Sequence, residues 1–432
     1  MEVWALVMFA ALFILLLAGF PVAFTLGAVA LGFGSIFLGL DFFNLLPLRV
    51  WGIMTNFTLL AVPLFVFMGV ILEKSGIAEE LLETMGRLFG RIRGGLAISV
   101  VAVGALLAAT TGVVGASVVT MAVIALPAML KHGYAPTLAS GTIAASGTLG
   151  QIIPPSIILI LLGDVIGVPV GQLFIAAAIP GMMLVFAYIA YIGFIAWRHP
   201  ELAPAIKSAP NDEHLALKVV TSLLPPLALV LAVLGSIFFG IASPTESAAV
   251  GALGAMILAA LHGRLNLNNL QNALQQTTRL TSMVFLILIG ATAFGLVFVG
   301  MGGDNLIFDI FNELPGGKWS FLIVSMLLIF VLGFFLDFIE ICFIVVPIIA
   351  PVAIHMGLDP LWFALLIALN LQTSFLTPPF GFSLFYLKAS APTLELSTIY
   401  RGIVPFIIIQ LVVLAALISF PEIALWLPGL ME

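Results

Sequence analysis

Charge is scarce in this chain. Of its 432 residues, 14 are lysine or arginine and 20 are aspartate or glutamate, while 62% are hydrophobic. A soluble domain has no way to bury that much apolar surface. Cysteine is nearly absent too: Cys342 stands alone, which excludes an intrachain disulfide and any cysteine-cluster metal site. Five histidines (His132, His199, His214, His262 and His355) lie scattered near segment ends, and none pairs with another at metal-ligand spacing. There is no basic stripe for nucleic acid, no Walker A loop and no GxSxG nucleophile elbow. Nucleic-acid binding is therefore not expected, and an ATP-driven pump would need its engine on another chain. The first apolar run lacks a basic flank and a cleavage motif, so no cleavable signal peptide is expected.

What the chain has instead is apolar runs of 18 residues or more from end to end. That pattern predicts an all-α polytopic membrane protein and not a barrel, whose strands would alternate in short segments. The expected spans are 3–19, 21–39, 56–74, 134–163, 172–197, 219–239, 244–262, 281–300, 360–387 and 403–428, about ten in all. Two further stretches, 96–130 and 319–352, are too long for one upright helix and carry polar or glycine-bearing middles, which suits re-entrant hairpins. The pieces 77–93, 263–280 and 303–315 read as interfacial helices. One long polar loop, 198–217, divides the chain nearly in half.

The halves resemble each other. A single offset of 224 places Pro127 on Pro351, Gly133 on Gly357, Pro136 on Pro360 and Pro154-Pro155 on Pro378-Pro379. Further upstream, Pro21 falls on Pro244 with an offset of 223. This is an internal duplication. Basic residues then set its orientation. Arg87, Arg91, Arg93 and Lys131 put both ends of 96–130 in the cytoplasm, and counting onward puts Arg198, Lys207, Arg264, Arg279, Lys388 and Arg401 inside as well. The second hairpin enters from the opposite face, with Asp304, Asp309, Glu313 and Asp359 near its ends; Arg49 and Lys318 are exceptions. The repeat is thus inverted, with both termini in the periplasm.

Adjacent prolines in the middle of a spanning segment remove donors and clash with the preceding turn, so 134–163 and 360–387 should each break. Irregular backbone at membrane depth is tolerated where it is buried in protein or lines a cavity. Half-helix ends there can hold ions and anionic groups. The available oxygens suit a hard cation such as Na⁺: Thr110, Thr111, Ser117, Ser146 and Thr148 in the first half, and Asp337, Glu340, Asn370, Thr373, Ser374 and Thr377 in the second. No lysine or arginine lies within 94–130, 134–163, 319–352 or 360–387, so an anionic substrate would be held by dipoles, hydroxyls and bound cations.

The succession "GTLGQIIPPSI", "SPTESAAVGALGA", "LGFFLDFIEI", "LQTSFLTPPFGFSLFYLK" and "IYRGIVPF" resembles the large membrane subunit, DctM type, of tripartite ATP-independent periplasmic (TRAP) transporters over essentially the whole chain. The resemblance implies an elevator fold of the ion-transporter superfamily, with scaffold parts 1–93, 171–318 and 391–432 and a mobile transport domain from 94–170 and 319–390. It implies three partners, namely a small four-helix membrane subunit (DctQ type), a periplasmic substrate-binding protein (DctP type) and an organic-acid substrate, in the lipid of a bacterial inner membrane. It also implies Na⁺ as coupling ion. One Na⁺ site would use Gly112, Gly115 and Ser117 with Gly147, Gly150 and Ile153; the other would use Gly333 and Asp337 with Thr373, Leu376 and Thr377. Thr148, Pro154, Ser156, Glu340, Ser374 and Pro378 would face the substrate. The tips depart from common forms: "GVVGAS" replaces a serine-rich turn, and "LDFIE" replaces an "LDPT"-like one. The competing reading is a self-sufficient Na⁺/dicarboxylate-type carrier. An intramembrane protease would need catalytic pairs at depth that the spans lack, and a passive channel would not need an inverted repeat of broken helices.

Overall fold

The structure is a computed structural model that describes residues 2–111, 114–206, 215–313 and 315–431, without the side chains of 108, 110, 111 and 215–217. Every regular element among them is helical, as a lipid environment requires of a chain that must satisfy its own backbone. Among the described residues, six helices are each long and apolar enough to cross a bilayer, or up to eight if each of two bent pairs counts as one span. The other expected crossings consist of shorter pieces: Glu2–Leu17, Val22–Phe37 and the halves of the two broken segments.

Three boundaries differ from the sequence expectation. The stretch 263–280 is no separate interfacial helix; it begins a continuous helix, Leu267–Gly300, capped by the Asn266 side chain. At about 50 Å this helix is longer than a hydrocarbon core of about 30 Å. A 3₁₀ turn at Leu40–Leu45 and a helix at Leu46–Met54 occupy a region where no element was expected. Pro47 opens that helix in its first turn, where a missing donor costs nothing, and the pair Leu40–Met54 and Thr58–Lys74 is bent by 55°. The final span runs Leu396–Ser419; beyond Pro421 a short helix, Glu422–Gly429, packs on Val170–Arg198. Helices form in the other two pieces expected to be interfacial, as Ile77–Phe89 and Gly303–Asn312, each behind a glycine with positive φ.

The duplication is visible in the backbone. Gly133 and Gly357 both take a left-handed conformation, with φ of 81° and 76°, in the turn between hairpin and broken helix, which is why both copies carry glycine there. The first hairpin is Gly95–Thr111 and Val114–Lys131. The second is Lys318–Leu332 followed by Phe338–Ile344 and Val346–His355, these last two bent by 54°. The first broken helix is Pro136–Thr148, a 3₁₀ turn Leu149–Gln151, and Ile157–Ile166. The second is Pro360–Leu376 and Phe382–Ser390. Both Pro-Pro bonds are cis.

The packing interleaves the repeats. The leading half of each broken helix packs on the hairpin of its own repeat, and the trailing half packs on the hairpin of the other. Ile157–Ile166 lies against Phe338–Ile344 and Val346–His355, while Phe382–Ser390 lies against Val114–Lys131. Leu396–Ser419 packs on both leading halves, most closely on Pro136–Thr148. There a Cβ on Gly141 would come within 2.1 Å of the Gly402 carbonyl oxygen, so the two helices meet backbone to backbone. Around this body stand the pairs Ala61–Lys74 with Pro244–Leu261 and Val22–Phe37 with Leu267–Gly300.

Candidate ion and substrate site

The leading halves of the two broken helices are buried on all sides. Ser146, Thr148 and Gln151 in the first, and Gln372, Thr373 and Ser374 in the second, are all 0% exposed. Burying polar groups this deeply requires partners, and the hydroxyls find them within their own helices. Ser146 donates to the Thr142 carbonyl, Thr148 to Ala145, Thr373 to Leu369, Ser374 to Leu371 and Thr377 to Thr373, at 2.6–2.8 Å. A hydroxyl that gives its proton to its own backbone has lone pairs alone left to offer. These oxygens can therefore accept hydrogen bonds or ligate a cation.

Each break is stapled by a serine that opens the trailing half. Ser156 donates to the Gln151 carbonyl at 2.8 Å, and Ser383 donates to the Phe375 carbonyl at 3.0 Å. Gln151 and Phe375 are repeat-equivalent, so the same carbonyl is satisfied in both copies by serines at different offsets. Tyr400 donates to the Pro379 carbonyl at 2.8 Å. Such bonds replace those that the prolines remove.

The hairpins reach these breaks where the sequence placed them. In the first half, a Cβ on Gly147 would come within 3.1 Å of the Val118 backbone, so the residues after Ser117 touch the end of the leading half. The 3₁₀ turn that carries Gly150 packs against both arms of the first hairpin. Ile153 is half-buried, and Pro154 and Ser156 are buried. Gly112 lies outside the described residues, as do the side chains of Thr110 and Thr111. In the second half, Gly333 abuts Ser374: a Cβ there would stand 2.1 Å from Ser374 Oγ. Leu376 is buried, whereas Thr377 and Pro378 are half-buried at the edge of the break.

Asp337 and Glu340 form a capping box on Phe338–Ile344. Asp337 Oδ1 accepts from the Phe338 amide at 2.6 Å, and Glu340 Oε2 accepts from the Asp337 amide at 3.1 Å. Glu340 is 9% exposed, so it is not a solvated mouth residue. Through this capping box the pair fixes the tip of the second hairpin.

Three residues outside the sequence-based set also belong here. Gln372 Nε2 approaches Thr148 Oγ1 at 3.5 Å, joining the two leading halves. Gln151 is buried without a partner for either amide atom among the described residues. Tyr386, on the trailing half of the second broken helix, rests the hydroxyl end of its ring on Gly115, where a Cβ would lie 3.0 Å from Cζ. Neutral amides and a tyrosine inside apolar runs carry no motif. The repeat offset was the available signal, because it places Gln372 on Thr148.

Two hydrogen bonds connect this body to the neighbouring helix Ala61–Lys74. Asn56, just ahead of that helix, donates to Asp164 Oδ1 at 2.6 Å, and Thr120 on the first hairpin donates to Glu73 Oε1 at 3.3 Å.

Comparison with known proteins agrees with this architecture. Over 418 residues the chain is 32% identical to the sialic acid TRAP transporter large permease protein SiaM of Vibrio cholerae, covering 96% of each chain. It is 31% identical to the C4-dicarboxylate TRAP transporter large permease protein DctM of Pseudomonas aeruginosa, covering 89% of each. Its fold matches the crystal structure of the Alcanivorax borkumensis YdaH transporter, described as having an unusual topology, with a TM-score of 0.63 at 15% identity over 96% of this chain and 99% of that one. The family model for the DctM component of tripartite ATP-independent periplasmic transporters matches residues 9–423, and the chain is a member of that family: a transporter membrane subunit and not an enzyme.

Proposed function

We propose that this chain carries a small organic acid across the bacterial inner membrane, driven by Na⁺ and dependent on a periplasmic binding protein, by an elevator movement. The observation that carries the reading is the cross-packed pair of broken helices, whose buried ends offer many neutral oxygens and no lysine or arginine. Neutral hydroxyl and carbonyl oxygens suit a dehydrated Na⁺. One ion would sit between Ser117 and the Gly147–Ile153 segment, and the other between Gly333, Asp337 and the Thr373–Thr377 segment. A carboxylate would then meet the bound cations, beside Thr148, Ser156 and Ser374, whose hydroxyls would have to release the Ala145, Gln151 and Leu371 carbonyls to donate to it. The names of both relatives above refer to acids.

The moving body in this reading comprises 94–170 and 319–390; Leu396–Ser419, expected from the sequence as scaffold, is assigned to the body here because it meets Pro136–Thr148 backbone to backbone. The Asn56–Asp164 and Thr120–Glu73 hydrogen bonds cross from the body to the scaffold, so they must break as it moves. The small membrane subunit would pack on scaffold helices, with both termini and the Gly303–Asn312 arm in the periplasm. Uptake into proteoliposomes should follow an imposed Na⁺ gradient. Equal uptake driven by a pH gradient without Na⁺ would contradict the coupling.

A further inference from the structure

Thr148 and Gln372 occupy equivalent positions in the two repeats, 224 residues apart, and they face each other at 3.5 Å. Equivalent residues that touch lie on the pseudo-two-fold axis, so this is the centre of the buried body. Among the described residues, this is the one side-chain hydrogen bond between the two broken helices. Its polarity is fixed. Thr148 gives its own proton to the Ala145 carbonyl at 2.8 Å, so it can accept alone, and Gln372 must turn its amide nitrogen toward it. Gln372 Oε1 is then left facing away, buried and without a partner among the described residues. Gln151 lies one 3₁₀ turn beyond Thr148, where residues three apart eclipse. That turn packs on Pro360–Leu376, the helix that carries Gln372. Among the described residues, Gln151 Nε2 is a buried donor without a partner, and Gln372 Oε1 is a buried acceptor without one. Native interiors rarely leave two such complementary groups unmatched.

We propose that Thr148, Gln372 and Gln151 are positioning residues that couple the two cation sites: the ladder from Thr148 through Gln372 to Gln151 closes when both breaks are ordered by a bound cation. Thr148 adjoins Gly147 at the first break, and Gln372 adjoins Thr373 at the second. A cation that orders one break therefore acts directly on the residue next to the other. At 3.5 Å the existing bond is stretched, so a small shift of either leading half tightens it or loses it. Closing the ladder satisfies the free donor and the free acceptor together, and neither site achieves this alone. Filling one site then raises the affinity of the other, and by linkage the effect is reciprocal. This inference rests on the Na⁺ reading above.

The test is equilibrium binding of radiolabelled Na⁺ to the purified full chain, with choline as the replacing cation. Binding to the unaltered chain should be cooperative, with a Hill slope approaching about 2 for two coupled sites. In Gln372→Met, which keeps length, and in Thr148→Val, which keeps volume, the slope should fall to about 1. The double variant should fall no further, since both changes remove the same bond. Thr148→Ser, which keeps the hydroxyl, should restore the slope. Saturable binding with the same slope in all of these chains, or additive losses in the double variant, would overturn the coupling alone. An unaltered chain that binds no Na⁺ would overturn the cation reading and the coupling with it.

Discussion

At the scale of single residues, function here depends on what a side chain has left to give. Thr373 and Thr377 spend their protons on their own helix, so alanine at either position removes a lone-pair donor; at 377 it also takes the hydroxyl from the Thr373 carbonyl, because the Thr377 amide bonds Ser374 instead. Thr373→Ala and Thr377→Ala should raise the Na⁺ concentration needed for half-maximal uptake while the protein still inserts; unchanged Na⁺ dependence in both would count against the second site. Gly333 makes a sharper case. A methyl group there would meet Ser374 Oγ at 2.1 Å, so Gly333→Ala must displace the hairpin tip from the break. Uptake should be lost in that variant and partly recovered when Ser374 is also changed to glycine. Sequence reasoning named these positions as candidates because the threonines and Ser374 flank the Pro378-Pro379 break and the family resemblance pointed to Gly333. It missed Gln151, Gln372 and Tyr386 because their roles come from burial and from a contact across the repeats.

At the scale of elements, the hairpins and both breaks were legible because proline and glycine act locally, through a missing donor or a positive φ. The interleaving was not legible. That Phe382–Ser390 packs on the first hairpin and Ile157–Ile166 on the second is a tertiary choice with no local signature. Nor was the helix Leu46–Met54, whose nine residues fall below any spanning window, or the fusion of 263–280 with 281–300. The contact of Leu396–Ser419 with Pro136–Thr148 can be tested by stability. Gly141→Ala would drive a methyl into the Gly402 carbonyl, and overpacking of this kind costs about 1–3 kcal/mol. Its melting temperature should drop, whereas Gly193→Ala, with open space around it, should leave stability unchanged or raised. Equal melting temperatures for the two would contradict the close crossing. The inverted orientation has its own check: reporter fusions at Glu201 and Asp309 should report cytoplasm and periplasm respectively, and the same side for both would rule out the inverted repeat.

At the scale of the whole molecule, the account divides the chain into a body that moves and a frame that stays, joined in this state by hydrogen bonds that include Asn56–Asp164 and Thr120–Glu73. In a variant whose Cys342 has been replaced, Asn56→Cys with Asp164→Cys should form a cross-link that stops uptake, and reductant should restore it. Full uptake with the cross-link in place would mean the body does not move against that helix. The account also makes the membrane subunit a poor receptor on its own. The hairpins and broken helices carry lysine only toward their outer ends, as Lys131, Lys318 and Lys388, and no arginine, so at the breaks a free organic acid meets partial charges and bound cations alone. A ligand shifts a conformational equilibrium only by its differential affinity for the two states, so a weak ligand needs a loaded binding protein to favour the outward-open state. The measurement that addresses this most directly is Na⁺-driven uptake by proteoliposomes containing this chain and its small membrane partner, with and without the cognate binding protein. The account predicts little or no uptake until that protein is added, and none with a non-cognate one; robust uptake by the membrane subunits alone would contradict it and make the chain a self-sufficient carrier.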